Sequence, residues 1–360
     1  MAVKIIAEAG VNHNGDIALA YKLIDAAKKA GADAVKFQTF TATDLVTAEA
    51  QQCDYQARNT QRVETQLAML QRLELSRASH IELQQYCQKI GIEFLSSAFD
   101  SSSLCFLVDE LNLNTLKIAS GEITNGPFLL EHARTGCDLI ISTGMSTLQE
   151  VQQALAVLAF GLTYSDDQQP CIKAFNEAFN SSEGQRLLKQ KVTVLHCTTE
   201  YPAPMGDINL RAMDTLRDTF DLAVGYSDHS EGIAVSIAAV ARDAQVIEKH
   251  FTLDKNMSGP DHKASLDPAE LTTMVNAIRA IELALGDGVK KPFDAELQNQ
   301  QHARKSLVCK SDIKRGDIFS SENVTVKRPG DGMSPSLYWQ LLGKTATRDY
   351  LPGHKICESS

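Results

Sequence analysis

The chain has 360 residues, a hydrophobic content of 43% and a formal net charge of −10. This length can hold one large α/β barrel plus a small domain, or two medium domains. The acidic balance argues against broad binding of nucleic acid or of an anionic membrane surface, although a local cluster of cations could still bind a small anion.

The N-terminus and the cysteines both predict a protein of the cytoplasm. The first ten residues, MAVKIIAEAG, lack the pattern of a signal peptide, and no later apolar run is long enough to span a bilayer. The eight cysteines are scattered and include no C-x-x-C pair. This usage is typical of reduced thiols and not of a disulfide framework or a zinc site.

Short β-rich runs alternate with helical patterns through most of the chain. The runs cover residues 4–10, 34–40, 92–99, 115–122, 139–145, 192–201, 222–229 and 245–251. Helical spacing is clear at 17–33, where Gly31 marks the expected end, and again at 148–160 and 233–244. Eight such alternations predict a closed parallel (β/α)8 TIM barrel over residues 1–285, with a doubly wound open sheet as the alternative.

Three segments depart from this alternation. Residues 163–191 are polar and longer than a barrel connection needs, so they predict a surface insertion to which no role is assigned. Residues 286–303, after the helix predicted at 268–285, are polar and predict a linker with one helical turn. Residues 304–360 are rich in turns and predict a small independent domain.

Polar side chains cluster at the C-terminal ends of the predicted strands. They are Glu8, Lys36, Gln38, Ser96, Ser97, Lys117, Ser120, Ser142, Thr198, Tyr201, Ser227, His229, Glu248 and His250. In a (β/α)8 barrel the active site is built from these strand ends. The alternation of side chains along a strand places Glu248 and His250 on a common face. The sequence therefore predicts one mouth at which these polar groups converge.

These residue types indicate the chemistry of the predicted mouth. Ammonium groups and hydroxyls match the oxygens of a phosphate or carboxylate. His229 and His250, on neighbouring predicted strands, predict a divalent metal with only two protein ligands, open to water and substrate. A sugar-like polyol would use Gln38, Glu8, Tyr201 and an acid such as Asp261.

Each of these features also has a simpler interpretation. A single lysine at a strand end is commonly solvated or paired with an acid, and a hydroxyl there can cap the following helix. His229 in SDHS could be an ordinary residue at a helix start, and His13 in NHNG is interpreted as a loop residue. The common position of the polar groups at one end of one predicted sheet favours a functional site.

Eight blocks, in order along the chain, closely resemble the sialic acid synthase family. They are IIAEAGVNHNGD, AVKFQTF, KIASGE, ISTGMST, LHCTTEYPAP, GYSDHS, IEKHFTLDKNMSGPDHKAS and VKRPGDGMSP. Members of this family condense phosphoenolpyruvate (PEP) with N-acetylmannosamine or a related sugar. The resemblance covers essentially the whole chain, and its last part resembles the antifreeze-like SAF domain, which has a β-clip fold.

The resemblance implies a role for residues in most of these blocks. It implies a divalent metal, usually Mn²⁺ with Mg²⁺ or Co²⁺ as alternatives, on His229 and His250. The implied PEP-binding positions are Lys36, Ser97, Lys117, Ser120, Ser142, Thr198 and Ser227. The implied sugar-binding positions are Glu8, Gln38, Asn59, Tyr201, Asp261 and Arg328. Lys36 and Lys117 are also implied to be catalytic, and Glu8 falls on the carboxylate that acts on the sugar aldehyde or on the attacking water.

Two further implications concern Thr199 and the C-terminal domain. Some family members have Asn where this chain has Thr199, so a hydroxyl or Thr198 is expected to make any PEP contact there. Arg328 is implied to reach into the barrel of a partner subunit and to contact the N-acyl group of the sugar. A domain-swapped homodimer is therefore expected.

The predicted function is that of a transferase, an N-acetylneuraminate synthase. The enzyme would join PEP, N-acetylmannosamine and water by metal-assisted C–C bond formation and release phosphate by C–O cleavage of PEP. The alternatives with the same chemistry are legionaminate or pseudaminate synthesis from a 2,4-diacetamido-trideoxy hexose. A remote alternative is a non-catalytic sugar- or ice-binding protein, but the charged stretches KSDIKRGD and VKRPGDG do not suit an ice-binding surface.

Overall fold

The computed structural model describes residues 2–60, 62–165 and 167–357. They form two compact units, Met1–Gly286 and Asp287–Ser360. None of the helices in the described part of the chain is long and apolar enough to cross a bilayer.

The first unit is a closed barrel of parallel strands in sequence order. The strands are β1 (Lys4–Gly10), β2 (Ala34–Thr39), β3 (Glu93–Ala98), β4 (Thr115–Ile118), β5 (Asp138–Ser142), β6 (Val192–Cys197), β7 (Ala223–Asp228) and β8 (Val246–His250). β8 pairs with β1 from Lys4 opposite Val246 to Glu8 opposite His250. This closure confirms the predicted TIM barrel, because an open doubly wound sheet would leave two edge strands unpaired.

Helices follow the strands around the barrel. They are α1 (Ile17–Ala30), α2 (Ala42–Leu45), α3 (Asp54–Thr60), α4 (Gln66–Leu73), α5 (Arg77–Ile90), α6 (Ser101–Cys105), α7 (Gly126–Arg134), α8 (Leu148–Thr163), α9 (Ile172–Asn180), α10 (Ser182–Lys191), α11 (Ala212–Phe220), α12 (Ala234–Val240) and α13 (Pro268–Leu285). A π-helical turn, Phe106–Glu110, extends α6, and short 3₁₀ turns occur at Ser120–Glu122, Met205–Asp207 and His262–Ala264.

Local sequence signals set the ends of these helices. At α1 the Asp16 side chain accepts from the Ala18 backbone N–H, and Gly31 ends the helix at a φ of 85°, which a side-chain-bearing residue rarely adopts. At α13 Asp267 and Glu270 form a reciprocal capping box around Pro268.

Along the barrel strands, the inward-facing side chains change from apolar to polar within two residues. An apolar layer is formed by Ile6, Ala34, Leu95, Ile140, Leu195 and Val246. Because inward-facing positions recur every second residue, the next inward layer toward the C-terminal ends contains Glu8, Lys36, Ser97, Ser142, Cys197 and Glu248. The fold therefore places a layer of mostly polar side chains next to the apolar layer, on the side of the C-terminal strand ends.

Two polar segments have more structure than the sequence predicts. Residues 163–191, predicted to be a surface insertion, contain α9 and α10, which pack on α8. Ala174, Ala178 and Leu188 are buried there, while most of the remaining side chains face solvent and make the segment look polar. The predicted single helical turn in 286–303 is the ten-residue helix α14 (Asp294–Ala303).

The second unit has its own core. The strands β9 (Ser306–Cys309) and β10 (Val324–Lys327) pair antiparallel, and a 3₁₀ turn (Pro335–Leu337) leads into the short helix α15 (Tyr338–Leu341). The core consists of Leu307, Cys309, Ile313, Phe319, Val324, Leu341, Ala346, Tyr350 and Ile356.

Candidate active site

A cavity of about 220 Å³ opens at the C-terminal ends of the barrel strands. Its polar lining consists of Glu8, Lys36, Gln38, Gln56, Ser97, Lys117, Ser120, Ser142, Thr199, Tyr201, Ser227, His229, Glu248, His250 and Asp261. The structure therefore brings together all the residues to which a ligand-binding or catalytic role was assigned except Asn59, Thr198 and Arg328. Ser96, also predicted at the mouth, does not line the cavity, and its hydroxyl is bonded to Thr39 Oγ1 at 2.7 Å. A neighbouring cavity of about 580 Å³ lies on the other side of Thr199 and lacks the charged groups of the first.

Two lysines and two glutamates form a buried charge cluster at the floor of the cavity. Lys36 Nζ is 2.6 Å from Glu8 Oε2 and 3.5 Å from Glu248 Oε2, and Lys117 Nζ is 3.8 Å from Glu248 Oε1. Ser227 Oγ donates to Glu248 Oε1 at 2.8 Å. The cluster is electrically balanced, which is what allows four ionisable groups to remain buried together.

The environment separates the pKa values of the two glutamates. Burial raises the pKa of Glu8, although the neighbouring Lys36 opposes the shift. Burial would also raise the pKa of Glu248, but Lys117 and Lys36 together outweigh it and hold that pKa below its ordinary value. Two carboxyl groups with pKa values shifted apart are the usual arrangement of a proton-transfer group beside a permanent anion. Glu8 is therefore the group suited to move a proton.

The lysines also differ from each other. Burial would lower the pKa of Lys36, but Glu248 and Glu8 outweigh burial and raise it. Burial lowers the pKa of Lys117, and Glu248 offsets only part of that shift. The sequence places Glu248 at the predicted mouth but assigns it no role in binding or catalysis. Among the described residues, Glu248 is the only acid that forms an ion pair with both lysines.

His229 and His250 lie side by side and are candidate ligands of a metal ion. Their ring centroids are 5.6 Å apart. His229 Nδ1 donates to the Thr198 carbonyl at 2.7 Å, so its Nε2 carries the lone pair. The Ser227 hydroxyl lies 3.4 Å from this Nε2 but donates its proton to Glu248, and His250 Nδ1 has no hydrogen-bond partner among the described residues. Burial lowers the pKa of both imidazoles, to about 4 for His229, so both are in the neutral form that binds metals.

No group of three or more metal-ligating side chains exists in the described residues. The two histidines therefore fit an ion that keeps most of its coordination positions for water and substrate.

Hydroxyl groups line the cavity on the side of β4, β5 and β6. The Ser142 and Thr199 hydroxyls are buried and have no hydrogen-bond partner among the described residues. Ser120 Oγ accepts from the Gly144 backbone N–H at 3.0 Å. A Cβ atom at Gly144 would lie 2.1 Å from Thr199 Oγ1, so only glycine allows this close approach. Free hydroxyls beside Lys117 match the oxygens of a phosphate group.

Thr198 and Asn59 both lie outside this cavity. Thr198 Oγ1 donates to the Asp207 carbonyl, and the residue lines the neighbouring cavity, whereas Thr199 lines both. Asn59 Nδ2 donates to the Pro260 carbonyl at 2.7 Å and ties α3 to the loop that carries Asp261. Both side chains are therefore already used in hydrogen bonds within the protein.

Arg328 lies in the second unit, directly after β10. Its side chain is exposed, and its Nε donates to the Ala303 carbonyl at 3.0 Å.

The opposite wall of the cavity is apolar and was not predicted. Val11, Met69, Leu70, Leu73 and Phe99 line it, and the first four belong to a small apolar cluster above the barrel. The ring of Tyr55, on α3, packs against the ring of Tyr201 with a centroid distance of 5.1 Å, and Tyr201 packs against His229 with a centroid distance of 4.2 Å; both pairs are tilted. These residues come from the long connection between β2 and β3 and from the segments after β1 and β3, where no strand pattern marks them as part of a site.

Comparison with known proteins identifies the family. A family model described as the NeuB family matches residues 23–290, and a model described as the SAF domain matches residues 304–354. The chain belongs to the NeuB family. The predicted resemblance to sialic acid synthases, including the C-terminal SAF domain, is confirmed.

Among the relatives, N,N'-diacetyllegionaminic acid synthase of Campylobacter jejuni is 50% identical over 98% of this chain and 98% of its own length. The Legionella pneumophila protein of the same name is 44% identical over 98% of this chain and 93% of its length. A crystal structure of N-acetylneuraminic acid synthetase from Leptospira borgpetersenii, in complex with citrate, is 31% identical with a TM-score of 0.66 and covers 83% of this chain and 90% of that one.

Proposed function

We propose that this NeuB-family protein is an N,N'-diacetyllegionaminic acid synthase, which condenses PEP with 2,4-diacetamido-2,4,6-trideoxymannose and water. The acceptor differs from the N-acetylmannosamine predicted from the sequence and corresponds to the alternative considered there. The two legionaminic acid synthases support this change, because both are more similar to the chain than the N-acetylneuraminic acid synthetase is.

The observation that carries the proposed chemistry is the charge cluster of Lys36, Lys117, Glu8 and Glu248 beside the free hydroxyls of Ser142 and Thr199. PEP is an anion with a phosphate and a carboxylate, and this side of the cavity offers two ammonium groups and several hydroxyl donors to it. The lysines would neutralise the phosphate as it leaves.

The proposed reaction balances with three reactants. C3 of PEP forms a bond to the aldehyde carbon of the open-chain sugar, and the aldehyde oxygen becomes a hydroxyl. Water adds at C2 of the former PEP, its proton is taken up, and phosphate leaves with cleavage of the C–O bond. Glu8 faces the cavity with a raised pKa and is the residue that we assign to manage a proton of the aldehyde oxygen or of the water.

We also propose that His229 and His250 hold a divalent cation, Mn²⁺ or, alternatively, Mg²⁺ or Co²⁺. When bound, such an ion would supply Lewis-acid polarisation of the aldehyde oxygen. The neutral, partly unpartnered imidazoles described above support this assignment. Tyr201 stacks on His229 and would restrict the orientation of that ring.

The apolar wall supports a deoxygenated acceptor. A 6-deoxy sugar ends in a methyl group, which can pack against Met69, Leu70 and Leu73. The terminal hydroxyl of N-acetylmannosamine would lose its hydrogen bonds to water against the same wall and find no partner there. Gln38, Tyr201 and Asp261 remain available for the hydroxyl and acetamido groups of the sugar.

The family resemblance leads us to propose a homodimer in which Arg328 contacts the N-acyl group of the sugar in the partner subunit. The exposed position of Arg328 in the second unit is compatible with this role. Sedimentation analysis tests it, since a fully active monomer would contradict it. We further propose that the reaction takes place in the cytoplasm, because all eight cysteines are free thiols.

Phosphate release from PEP tests the function. We expect release with Mn²⁺ and 2,4-diacetamido-2,4,6-trideoxymannose, loss of release on addition of EDTA, and much slower release with N-acetylmannosamine or its 6-phosphate. Preference for N-acetylmannosamine would contradict the acceptor and leave the reaction class intact. No release with any sugar would contradict the reaction class.

A further inference from the structure

A second buried ion pair lies on the outer face of the barrel, behind the two histidines. Lys249 stands between Glu248 and His250, which both face the cavity, so strand alternation turns its side chain to the opposite face. Lys249 Nζ is 3.1 Å from Asp228 Oδ2, and both side chains have an exposed fraction of 0%. Neither residue lines the cavity.

This pair is connected to Ser230, the residue that follows His229. Lys249 Nζ also donates to the Ser230 carbonyl. Asp228 Oδ1 accepts from the Ser230 backbone N–H at 2.9 Å and from Ser230 Oγ at 2.6 Å. Asp228 Oδ2 accepts from Ser236 Oγ of α12 at 2.6 Å. The residues on either side of His229, Asp228 and Ser230, are therefore bonded to each other and to Lys249 through side chains that do not line the cavity.

The pair also joins the two strands that carry the histidines. Asp228 and Lys249 are register partners in the β7–β8 ladder. One position earlier, Ser227 and Glu248 are partners in the same ladder and bond to each other on the inner face. Side-chain contacts therefore join the C-terminal ends of β7 and β8 on both faces of the sheet, next to His229 and His250.

Stability alone does not explain this arrangement. Removing a lysine and an aspartate completely from water is costly, and apolar residues of similar volume often replace a buried ion pair without loss of stability. What apolar residues would not reproduce is the set of directed hydrogen bonds to Ser230 and Ser236. The geometry therefore points to a role in position, not in stability.

We propose that Lys249 and Asp228 are positioning residues that fix the His229 turn against the tip of β8, and so set the spacing of His229 and His250 for a divalent cation. This inference rests on the metal site of the proposed function. Partners that orient metal ligands from behind typically change metal affinity by about 10- to 100-fold when removed.

The test uses Lys249→Met, the double variant Asp228→Asn/Lys249→Met, and the control Lys189→Met, which removes an ion pair with Asp221 on the protein surface. The full chain is titrated with Mn²⁺, and free Mn²⁺ is measured by its EPR signal in the absence of substrates. The melting temperature of the metal-free protein is measured for each variant.

Lys249→Met leaves the Asp228 carboxylate buried without its cation, so we expect a lower melting temperature together with weaker Mn²⁺ binding. The double variant removes both charges, and we expect it to regain most of the melting temperature while Mn²⁺ binding stays about 10- to 100-fold weaker than in the wild type. The control should change neither quantity.

Wild-type Mn²⁺ affinity in the double variant would overturn the positioning role and leave the pair with a purely structural one. Absence of Mn²⁺ binding in the wild-type protein would overturn the inference together with the metal site of the proposed function. The two failures are thus told apart by the wild-type titration.

Discussion

The Lys36 ammonium group lies 2.6 Å from Glu8 Oε2, and both side chains are almost completely buried. Lys36 also contacts Glu248, which in turn contacts Lys117. Before substrate binds, the cations that would hold PEP are therefore neutralised by two carboxylates of the protein. An anionic PEP bound at Lys36 would change the environment of Glu8, because Glu8 would then share its nearest positive charge with the ligand. Under the proposed function, the binding of PEP would therefore alter the pKa of the residue assigned to proton transfer.

Glu8→Gln tests the proton-transfer assignment. The amide keeps the shape of the side chain but cannot take up a proton, and general acid–base groups typically contribute about 10²- to 10⁴-fold to rate. We expect kcat to fall within that range, with a much smaller change in the affinity for PEP measured by calorimetry. Glu93→Gln, which removes the exposed partner of Lys4 at the start of β3, should leave kcat unchanged. A Glu8→Gln enzyme with near wild-type kcat would contradict the assignment.

The adjacent threonines 198 and 199 provide a matched pair of substitutions. The Thr199 hydroxyl is buried, faces the cavity and lacks a partner among the described residues, whereas the Thr198 hydroxyl is bonded to the Asp207 carbonyl. A hydrogen bond to a charged group contributes about 1.5–3 kcal/mol, so Thr199→Val should raise the KM for PEP by about 10- to 100-fold. Thr198→Val should leave KM nearly unchanged. The opposite order would mean that Thr198 makes the PEP contact, as expected from the sequence.

The apolar wall predicts a change in acceptor preference. Leu70→Gln places an amide at the cavity, where it can bond to the terminal hydroxyl of N-acetylmannosamine but not to a methyl group. An apolar pocket typically distinguishes two substrates that differ by one small group by about 10- to 200-fold in kcat/KM. We therefore expect the ratio of kcat/KM for the trideoxy sugar to kcat/KM for N-acetylmannosamine to fall by at least about tenfold. Leu67→Gln is the control, because Leu67 lies on the same helix and packs on the cluster without lining the cavity.

If the wild-type enzyme prefers the trideoxy sugar and Leu70→Gln leaves the ratio unchanged, the wall is not what selects the acceptor.

The buried carboxyl group of Asp261 should make the stability of the protein depend on pH. Burial raises its pKa to about 6, and the neighbouring Tyr55 and Tyr201 stay neutral in this range because burial raises their pKa values as well. The unfolded chain ionises this carboxyl near pH 4, so the ionised group lowers the free energy of unfolding progressively from about pH 4 to pH 6, and the loss persists above pH 6.

Asp261→Asn removes this cost. We expect the variant to be more stable than the wild type at pH 8 by up to about 3 kcal/mol, and equally stable at pH 4. Urea denaturation of the substrate-free protein at both pH values measures the difference. Equal stability of the two proteins at pH 8 would show that the ionised carboxylate is not penalised by burial.

Much of the site could be predicted because strand alternation is a local property. Once the strands are located, the residue two positions after each apolar interior residue must face inward, as Glu8 follows Ile6 and Glu248 follows Val246. The same rule places Lys249 outward. The family resemblance then associates these positions with a chemistry.

The parts of the site that could not be predicted lie beyond the strand ends, where side chains no longer alternate between the two faces of the sheet. β6 stops at Cys197, so no periodic rule decides which of the threonines at 198 and 199 faces the cavity. The apolar wall is formed by α4, and only tertiary packing brings that helix over the mouth. In the proposed function this wall selects the acceptor, and the sequence pattern, which does not reveal the wall, led to the prediction of N-acetylmannosamine. Polar composition likewise concealed α9 and α10, because only a few of their residues are buried.

A competition experiment tests the central claim most directly. PEP, Mn²⁺ and equal concentrations of 2,4-diacetamido-2,4,6-trideoxymannose and N-acetylmannosamine are incubated with the full-length protein, and the nine-carbon products are identified by mass spectrometry. We expect N,N'-diacetyllegionaminic acid to form first and in large excess, with one phosphate released per product. N-acetylneuraminic acid as the main product, or PEP left unconsumed, would contradict it.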